Sequence, residues 1–223
     1  MFQSRRWSVL SSFVAVMLVA SFLPVGSVAG RAFPSGEEIA SAKAVDLVLQ
    51  AGTYEIGGKS YRADYGTLVV PENRNKDDSR LIQLPVIRMH ATGENPAEPV
   101  FLLAGGPGAP NVFSAERLAR IGFDDFPKAW LLDRHDFVMV GYRGVDGSIS
   151  LDLPEVAEAV QVEKNPLSSE NLEKLGKAYL TAFERLKKEG VDIDGYTMVE
   201  VIDDMEAARK ELGYKKIALR SYT

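Results

Sequence analysis

The sequence predicts an α/β fold with one sheet that is antiparallel at one edge and parallel in its centre. Residues 80–90 alternate apolar and polar side chains, the pattern of a half-buried strand, and residues 61–70 are rich in strand-forming Tyr, Thr and Val. Residues 100–104 and 137–140 are instead unbroken apolar runs, typical of strands buried on both faces of a sheet. Helical patterns then precede another strand that begins at residues 215–219, and this alternation of strands and helices favours parallel pairing.

Ahead of the fold, residues 1–29 have the organisation of a secretory signal. Two arginines precede an uncharged apolar run at 14–23, and residues 27–29 supply the small side chains of a peptidase cleavage site. The apolar run is shorter than the ~20 residues that a membrane-spanning helix needs. We expect cleavage after Ala29, export to the periplasm or the extracellular space, and no stable membrane span afterwards; an uncleaved N-terminal membrane anchor is the alternative.

Residues 30–59 are predicted to be a polar lead-in to the core domain, which is expected to occupy residues 60–223. Within the lead-in, the Ser-Gly-Glu-Glu stretch at 35–38 favours the capping of a short helix that runs to Leu49. The polar residues 73–78 separate the first two predicted core strands. They are predicted to form the loop of an antiparallel hairpin.

Two amphipathic helices are predicted in the second half of the chain. Ser169 is the predicted N-cap of the first helix, and Gly190 is its predicted stop. One face of this helix collects apolar side chains spaced by three or four residues, namely Leu172, Leu175, Tyr179, Ala182 and Leu186.

The second helix has stronger boundary signals. Thr197 and Glu200 have the spacing of a capping box, and Gly213 suits the left-handed position that follows a helix. Its apolar stripe consists of Val201, Met205, Ala208 and Leu212. Its charged side chains are predicted to form a solvated face made of Asp203, Asp204, Glu206 and Lys210.

The composition excludes several classes of function. The chain has 223 residues, of which 46% are hydrophobic and 26% charged, as in an ordinary globular protein. It has no cysteine, which excludes disulfides, a thiol nucleophile and cysteine-based metal sites, and two histidines are too few for a His-rich metal centre. The formal net charge of −5 argues against nucleic acid as a partner, because phosphate binding needs a basic surface. We expect no metal and no cofactor.

A glycine-rich loop directly after the apolar strand at 100–104 is the first motif that suggests chemistry. Its sequence is Gly105-Gly106-Pro107-Gly108, which lets the backbone turn tightly and leaves N–H groups uncovered. Such a loop suits an anion or the oxyanion of a tetrahedral intermediate, and a purely structural turn is the alternative. No Gly-Lys-Ser/Thr follows it, which argues against a nucleotide phosphate.

Two further stretches follow other predicted strands. After the strand at 137–140, Arg143 and Asp146 are close enough in sequence to position a loop through a salt bridge. Residues 212–223 combine a helix end, a strand and the pair Ser221-Tyr222. This combination is typical of the approach to a nucleophile elbow, in which a serine lies on a tight strand-to-helix turn.

The glycine-rich loop, the loop after the strand at 137–140 and the stretch at 212–223 follow one another along the chain. Together they resemble the α/β-hydrolase superfamily, and they are most similar to its exported branch of proline iminopeptidases and tripeptidyl aminopeptidases. The resemblance covers about residues 60–223. It implies a serine hydrolase that transfers an acyl group to water, acting on the N-terminal residues of peptides or on related amides and esters. It also implies an oxyanion loop formed by Gly105, Gly106, Pro107 and Gly108, with the N–H of Gly106 directed at the substrate carbonyl.

The resemblance leaves two positions for the nucleophile. The family's spacing from the helix-ending glycine leads to Thr223, which we favour, whereas Ser221 fits by residue type but needs a shorter strand. The superfamily's chain order is nucleophile, acid and base. His90 and His135 precede both positions and are therefore expected to be surface or loop residues.

The chain is thus expected to carry only the N-terminal half of a hydrolase sheet, truncated near the end of the nucleophile strand. Without a triad acid and base it is expected to be inactive; peptides or small amides and esters are the expected substrates of a completed enzyme. The alternative is a non-catalytic exported binding protein that uses the partial fold through an open sheet edge.

Overall fold

The computed structural model describes residues 45–106, 108–115, 117, 127–160, 165 and 167–222. The predicted signal at 1–29, Pro107 and Thr223 lie outside the described residues. The chain divides into two compact units: a helical unit from Leu151 to Ile193, and a sheet unit that comprises the described residues before and after it.

The described residues of the sheet unit form six strands: β1 (Asp46–Ile56), β2 (Lys59–Pro71), β3 (Leu81–Met89), β4 (Ala97–Ala104), β5 (His135–Val140) and β6 (Ala218–Tyr222). Their order across the sheet is β1-β2-β3-β5-β4-β6. Neighbouring strands from β1 to β5 pair antiparallel, whereas β4 pairs parallel with both β5 and β6. The predicted change from antiparallel to parallel pairing is confirmed, and it occurs at β5.

Over residues 46–49, β1 contradicts the helix that the sequence predicts up to Leu49, while the start of that predicted helix, at 35–44, lies outside the described residues. The strand pairs with β2 along its whole length. Gly57 and Gly58 join the two strands, and their φ angles of 53° and 76° fit a two-residue hairpin turn. A Gly-Gly pair between two strand-forming segments is a hairpin signal, and it adds a strand to the segment predicted as a lead-in.

The described residues also contain four α-helices with defined bounds, α1 (Ala129–Leu132), α2 (Pro154–Val160), α3 (Ser169–Lys188) and α4 (Met198–Glu211), and a short 3₁₀ helix (Ile193–Gly195). The helical unit consists of α2 and α3, whereas α1 and α4 belong to the sheet unit. None of the helices within these described ranges combines the length and the apolar character needed to cross a bilayer.

The core of the sheet unit has two layers, one on each face of the sheet. Leu102 of β4 and Phe137 of β5 belong to the layer covered by α1. Phe101 and Val138, their neighbours in sequence, belong to the layer covered by α4. Since side chains alternate between faces along a strand, this arrangement buries both faces of β4 and β5, as their unbroken apolar runs predict.

The predicted boundaries of α4 are confirmed. The side chain of Thr197 accepts a hydrogen bond from the N–H of Glu200 at 3.2 Å. Gly213 follows the helix with a φ of 77°, in the left-handed region. Met205 and Ala208 of the predicted stripe are buried against the sheet.

The helix α3 departs from the prediction in two details. Its N-cap is Ser168 rather than Ser169, since the Ser168 side chain accepts a backbone N–H of the first turn. Its predicted apolar face is only partly buried, because Ala182 and Leu186 are buried while Leu172 is half exposed.

Candidate functional site

The glycine-rich loop and the end of β6 meet at one edge of the sheet, because β4 and β6 are adjacent parallel strands. Their register pairs Leu103 with Ser221 and Ala104 with Tyr222. The chain that leaves β4 at Gly105 and the chain that leaves β6 therefore emerge side by side. This edge, at the carboxyl ends of parallel strands, is where ligands bind in open α/β sheets.

The two predicted nucleophile positions differ in their relation to β6. Ser221 is exposed and lies within the strand, opposite Leu103, rather than on a turn beyond it. Thr223 lies outside the described residues, directly after Tyr222, the last residue of β6.

The glycine-rich loop uses backbone conformations that favour glycine. Gly106 has a φ of 91° and Gly108 a φ of 75°, both in the left-handed region. Ala109 donates its N–H to the carbonyl oxygen of Gly106 at 3.0 Å, which closes a turn. Gly106 and Gly108 are exposed and Gly105 is half-buried, so this backbone is accessible to a ligand at the edge where β4 and β6 end.

Asn111 follows the loop and connects it to the two strands beside it. Its Oδ1 accepts the N–H of Ala104 at 2.8 Å. Its Nδ2 donates to the carbonyl oxygens of Leu102 at 3.0 Å and of Val140 at 2.8 Å. One fully buried amide thereby joins the carboxyl ends of β4 and β5.

Asp146 holds the same region from the loop after β5. Its Oδ2 accepts the N–H groups of Asn111 and Tyr142, both at 2.8 Å. The hydroxyl of Tyr142 donates to the carbonyl oxygen of Ala104 at 3.0 Å. The predicted salt bridge between Arg143 and Asp146 is wrong, because Asp146 binds backbone N–H groups while the guanidinium pairs with other carboxylates.

Burial raises the pKa of Asp146 from 3.8 to about 6, against the opposing effect of the N–H groups that it accepts. A pKa that is higher in the folded state than in the unfolded state stabilises the fold below the unfolded value, and this stabilisation is lost as the pH rises through the folded value. Between pH 4 and pH 8, we expect the free energy of unfolding to fall by on the order of 2–3 kcal/mol more in the wild type than in Asp146→Asn. Urea unfolding at a series of pH values measures this difference.

The matched control for this titration is Asp203→Asn, which removes an exposed carboxylate of α4. Its stability should follow the wild-type curve across the whole pH range. If Asp146→Asn also follows the wild-type curve, the raised pKa of Asp146 is contradicted.

Arg143 forms a buried ion pair with α4. Its Nε and Nη2 donate to the two carboxylate oxygens of Asp204, both at 2.7 Å. Its Nη1 donates to the carbonyl oxygens of Glu72 at 2.7 Å and of Gly195 at 2.6 Å. Asp204 is 1% exposed, so its predicted place on a solvated helix face is wrong, whereas Asp203 is exposed.

Further ion pairs extend this contact into an arginine network, defined here as three arginines and three carboxylates: Arg74, Arg80, Arg143, Glu72, Glu200 and Asp204. Arg74 contacts Glu200 and also Asp204, the latter at 2.7 Å from Nη2 to Oδ1. Arg80 donates from Nε to Oε2 of Glu72 at 2.6 Å. The positive and negative groups are equal in number and paired with one another. Their ion pairs join the segment after β2, the loop after β5 and α4, so the network is structural.

Both histidines lie at the opposite end of the strands from the glycine-rich loop. The Nδ1 of His135, at the start of β5, is 2.7 Å from the carbonyl oxygen of Glu98. His90 follows β3, and its Nε2 is 2.8 Å from Oδ2 of Asp64. Since β3 runs antiparallel to β5, both histidines lie near the amino end of β5, away from the glycine-rich loop.

Within the described part of the chain, no three carboxylate or imidazole groups come together to hold a metal ion. Every buried side-chain nitrogen or oxygen in that part has a hydrogen-bond partner. The buried polar side chains around the site are therefore engaged with the protein itself, whereas Gly106, Gly108 and Ser221 are exposed at this edge.

No protein-family model matches this chain, and no curated protein matches it.

The sequence patterns miss two of the buried polar groups in and around the site. Asp204 carries a usable signal: it lies three residues after Val201 and four before Ala208, so helical periodicity puts it on the apolar stripe of α4. An acidic side chain on such a stripe needs a buried cation. Asn111 carries no comparable signal, since a polar residue after a Gly/Pro-rich loop is ordinary turn composition.

Proposed function

We propose that this chain contributes part of the active site of an exported serine hydrolase of the aminopeptidase-like α/β-hydrolase type. The reaction is acyl transfer to water, from the N-terminal residue of a peptide or from a related amide or ester. The parallel register of β4 and β6 carries the proposal, because it brings the glycine-rich loop and the end of the nucleophile strand to one edge. A nucleophile directly after β6 is then beside N–H donors suited to the oxyanion that its attack creates.

In this proposal, Gly105 to Gly108 form the oxyanion loop, with the N–H of Gly106 as a donor. We favour Thr223 over Ser221 as the nucleophile position. Ser221 is paired within β6 opposite Leu103, whereas a nucleophile elbow carries its side chain on the turn after the strand.

The proposed reaction also needs a general base and an acid that orients it. The 223 residues contain two histidines, and both lie at the opposite end of the strands from the glycine-rich loop. We therefore expect the base to come from outside these 223 residues, through a further segment or another polypeptide.

We expect no turnover when the purified 223-residue chain is assayed with aminoacyl 4-nitroanilides and 4-nitrophenyl esters, because a hydroxyl without a base is a weak nucleophile. Sequencing the coding DNA beyond codon 223 shows whether the reading frame continues. If it does, the longer product is expected to hydrolyse these substrates. Thr223→Ala should then lower kcat/KM by about 10⁴-fold or more, and Ser221→Ala should have a far smaller effect.

Turnover by the 223-residue chain that disappears in Ser221→Ala would contradict both the nucleophile position and the missing base. A longer product that folds but hydrolyses neither substrate class would contradict the proposed reaction.

A non-catalytic exported binding protein is the second candidate, and the outer edge of β6 favours it. Among the described residues, no strand pairs with that edge, and Leu219 of β6 is 61% exposed. An extended peptide can add to such an edge as a further strand. The two candidates differ in the assay above, since binding of this kind needs neither Thr223 nor a base.

A further inference from the structure

The glycine-rich loop is held at both of its ends by side chains. At its start, Ala104 donates its N–H to Oδ1 of Asn111 at 2.8 Å and accepts the hydroxyl of Tyr142 at 3.0 Å. At its end, Asn111 donates its backbone N–H to Oδ2 of Asp146 at 2.8 Å. Residues 105–110 therefore span two points whose positions are set by the same group of side chains, which we call the loop anchor (Asn111, Tyr142 and Asp146).

Within the loop anchor, Asn111 is fully buried, whereas Tyr142 and Asp146 are half-buried. Asn111 is 0% exposed, and its side chain makes three hydrogen bonds to the backbone of β4 and β5. Gly141 lets Asp146 approach closely: a Cβ at Gly141 would lie 2.8 Å from the Cβ of Asp146 and 2.7 Å from Cδ of Pro85. The hydrogen bonds of the buried Asn111 side chain compete little with solvent, so they define one geometry for the start of the loop.

An oxyanion loop has a particular need for this arrangement. Stabilisation of a developing negative charge is largest when the N–H donors already point at its future position and need no reorganisation during the reaction. Residues 105–110 have one hydrogen bond of their own among the described backbone contacts, from Ala109 to Gly106. The described residues of this loop are therefore directed largely by the contacts at its two ends.

We propose that Asn111 and Asp146 are positioning residues that set the direction of the Gly105 and Gly106 N–H groups from the two ends of the loop. The catalytic meaning of this assignment rests on the proposed function, whereas the anchoring itself is independent of turnover. Tyr142 supports the same end of β4 through the carbonyl oxygen of Ala104.

The test is amide NMR of the full 223-residue chain labelled with ¹⁵N-glycine. The chain has 19 glycines, so the spectrum contains few signals. In the wild type, Gly105, Gly106 and Gly108 should each give one sharp amide signal. In Asn111→Ala and in Asp146→Ala, these signals should shift and broaden or split, because the loop samples several directions. In a ¹⁵N-labelled sample of Asn111→Ala, the Ala104 amide should also exchange with solvent at least about tenfold faster, since its acceptor is removed.

Three comparisons separate positioning from a general loss of stability. Asn73→Ala removes another buried amide, at 3% exposure, whose Oδ1 accepts the N–H of Asn75 at 3.0 Å in a different loop. It should leave the signals of Gly105 and Gly106 in place. Asp146→Asn keeps an oxygen that can accept N–H groups and should restore signals close to those of the wild type. Gly66, buried in β2, reports in every variant whether the sheet is folded.

Unchanged Gly105 and Gly106 signals in both alanine variants, with the Gly66 signal intact, would overturn the assignment. Equal shifts in Asn73→Ala would overturn it as well. If Asn111→Ala does not fold, Asp146→Ala compared with Asp146→Asn gives the same decision. All of these signals are read without substrate, so an absence of hydrolysis in every form of the protein leaves this result standing.

Discussion

Arg143→Ala is expected to lower the free energy of unfolding by about 3–5 kcal/mol, because it leaves buried carboxylates without their principal cation. Asp204 is 1% exposed and loses both hydrogen bonds that hold its carboxylate to Arg143. The carbonyl oxygens of Glu72 and Gly195 lose their donor in the same substitution. Arg74 still contacts Asp204, but its side chain is 22% exposed and reaches one carboxylate oxygen of that residue. Urea unfolding followed by circular dichroism measures the loss.

Two further variants identify its cause. Arg143→Lys should recover only part of the stability, since an ammonium group cannot donate in the planar fork that Asp204 accepts. Arg62→Ala removes an exposed arginine from β2 and should change the free energy of unfolding by no more than about 0.5 kcal/mol. A loss below about 1 kcal/mol in Arg143→Ala would show that Arg74 alone neutralises the buried carboxylates, contrary to expectation.

Phe101→Ala is expected to cost about 3–5 kcal/mol, because it opens a cavity in the core layer covered by α4. Phe101 is 0% exposed and belongs to β4, which is paired on both sides, with β5 and with β6. Its ring meets that of Tyr214 edge to face, with the centroids 6.3 Å apart. Chemical denaturation at constant pH measures the effect, and Phe101→Leu should lose less, about 1–2 kcal/mol, since it fills most of the space.

Leu219→Ala is the matched control for the cavity. The strand register places Leu219 directly beside Phe101 on the same face of the sheet, yet Leu219 is 61% exposed. Its truncation should therefore cost well under half as much as Phe101→Ala. Equal losses at the two positions would mean that β6 at Leu219 is as well packed as β4 at Phe101, which contradicts the exposure of Leu219.

Much of the sheet can be predicted from the sequence because the burial of each strand is visible in its local pattern of apolar and polar residues. Alternating side chains identify β3, unbroken apolar runs identify β4 and β5, and a capping box with a following glycine identifies α4. β1 lies in the segment predicted as a polar lead-in, although Gly57 and Gly58 within that segment are a local hairpin signal.

The order of the strands and the polar contacts are not visible in any local sequence pattern. Nothing in the apolar pattern of β6 specifies that it pairs with β4, yet this pairing places the glycine-rich loop beside the end of β6. Arg143 and Asp204 are 61 residues apart, and Arg74 and Glu200 are 126 residues apart. Partners at such distances cannot be identified from spacing in one sequence; only the position of Asp204 on an apolar stripe indicates that a buried partner exists.

The long separations within the arginine network have a kinetic consequence. Contacts between residues far apart in the chain require a large loop to close, so they form after local structure such as the hairpin of β1 and β2. We therefore expect the hydrogen bonds of Arg143 to Asp204 to form mainly on the native side of the folding barrier. Interactions absent from the transition state slow unfolding without speeding folding. The network is thus expected to slow unfolding more than it speeds folding, and so to lengthen the time that the chain stays folded.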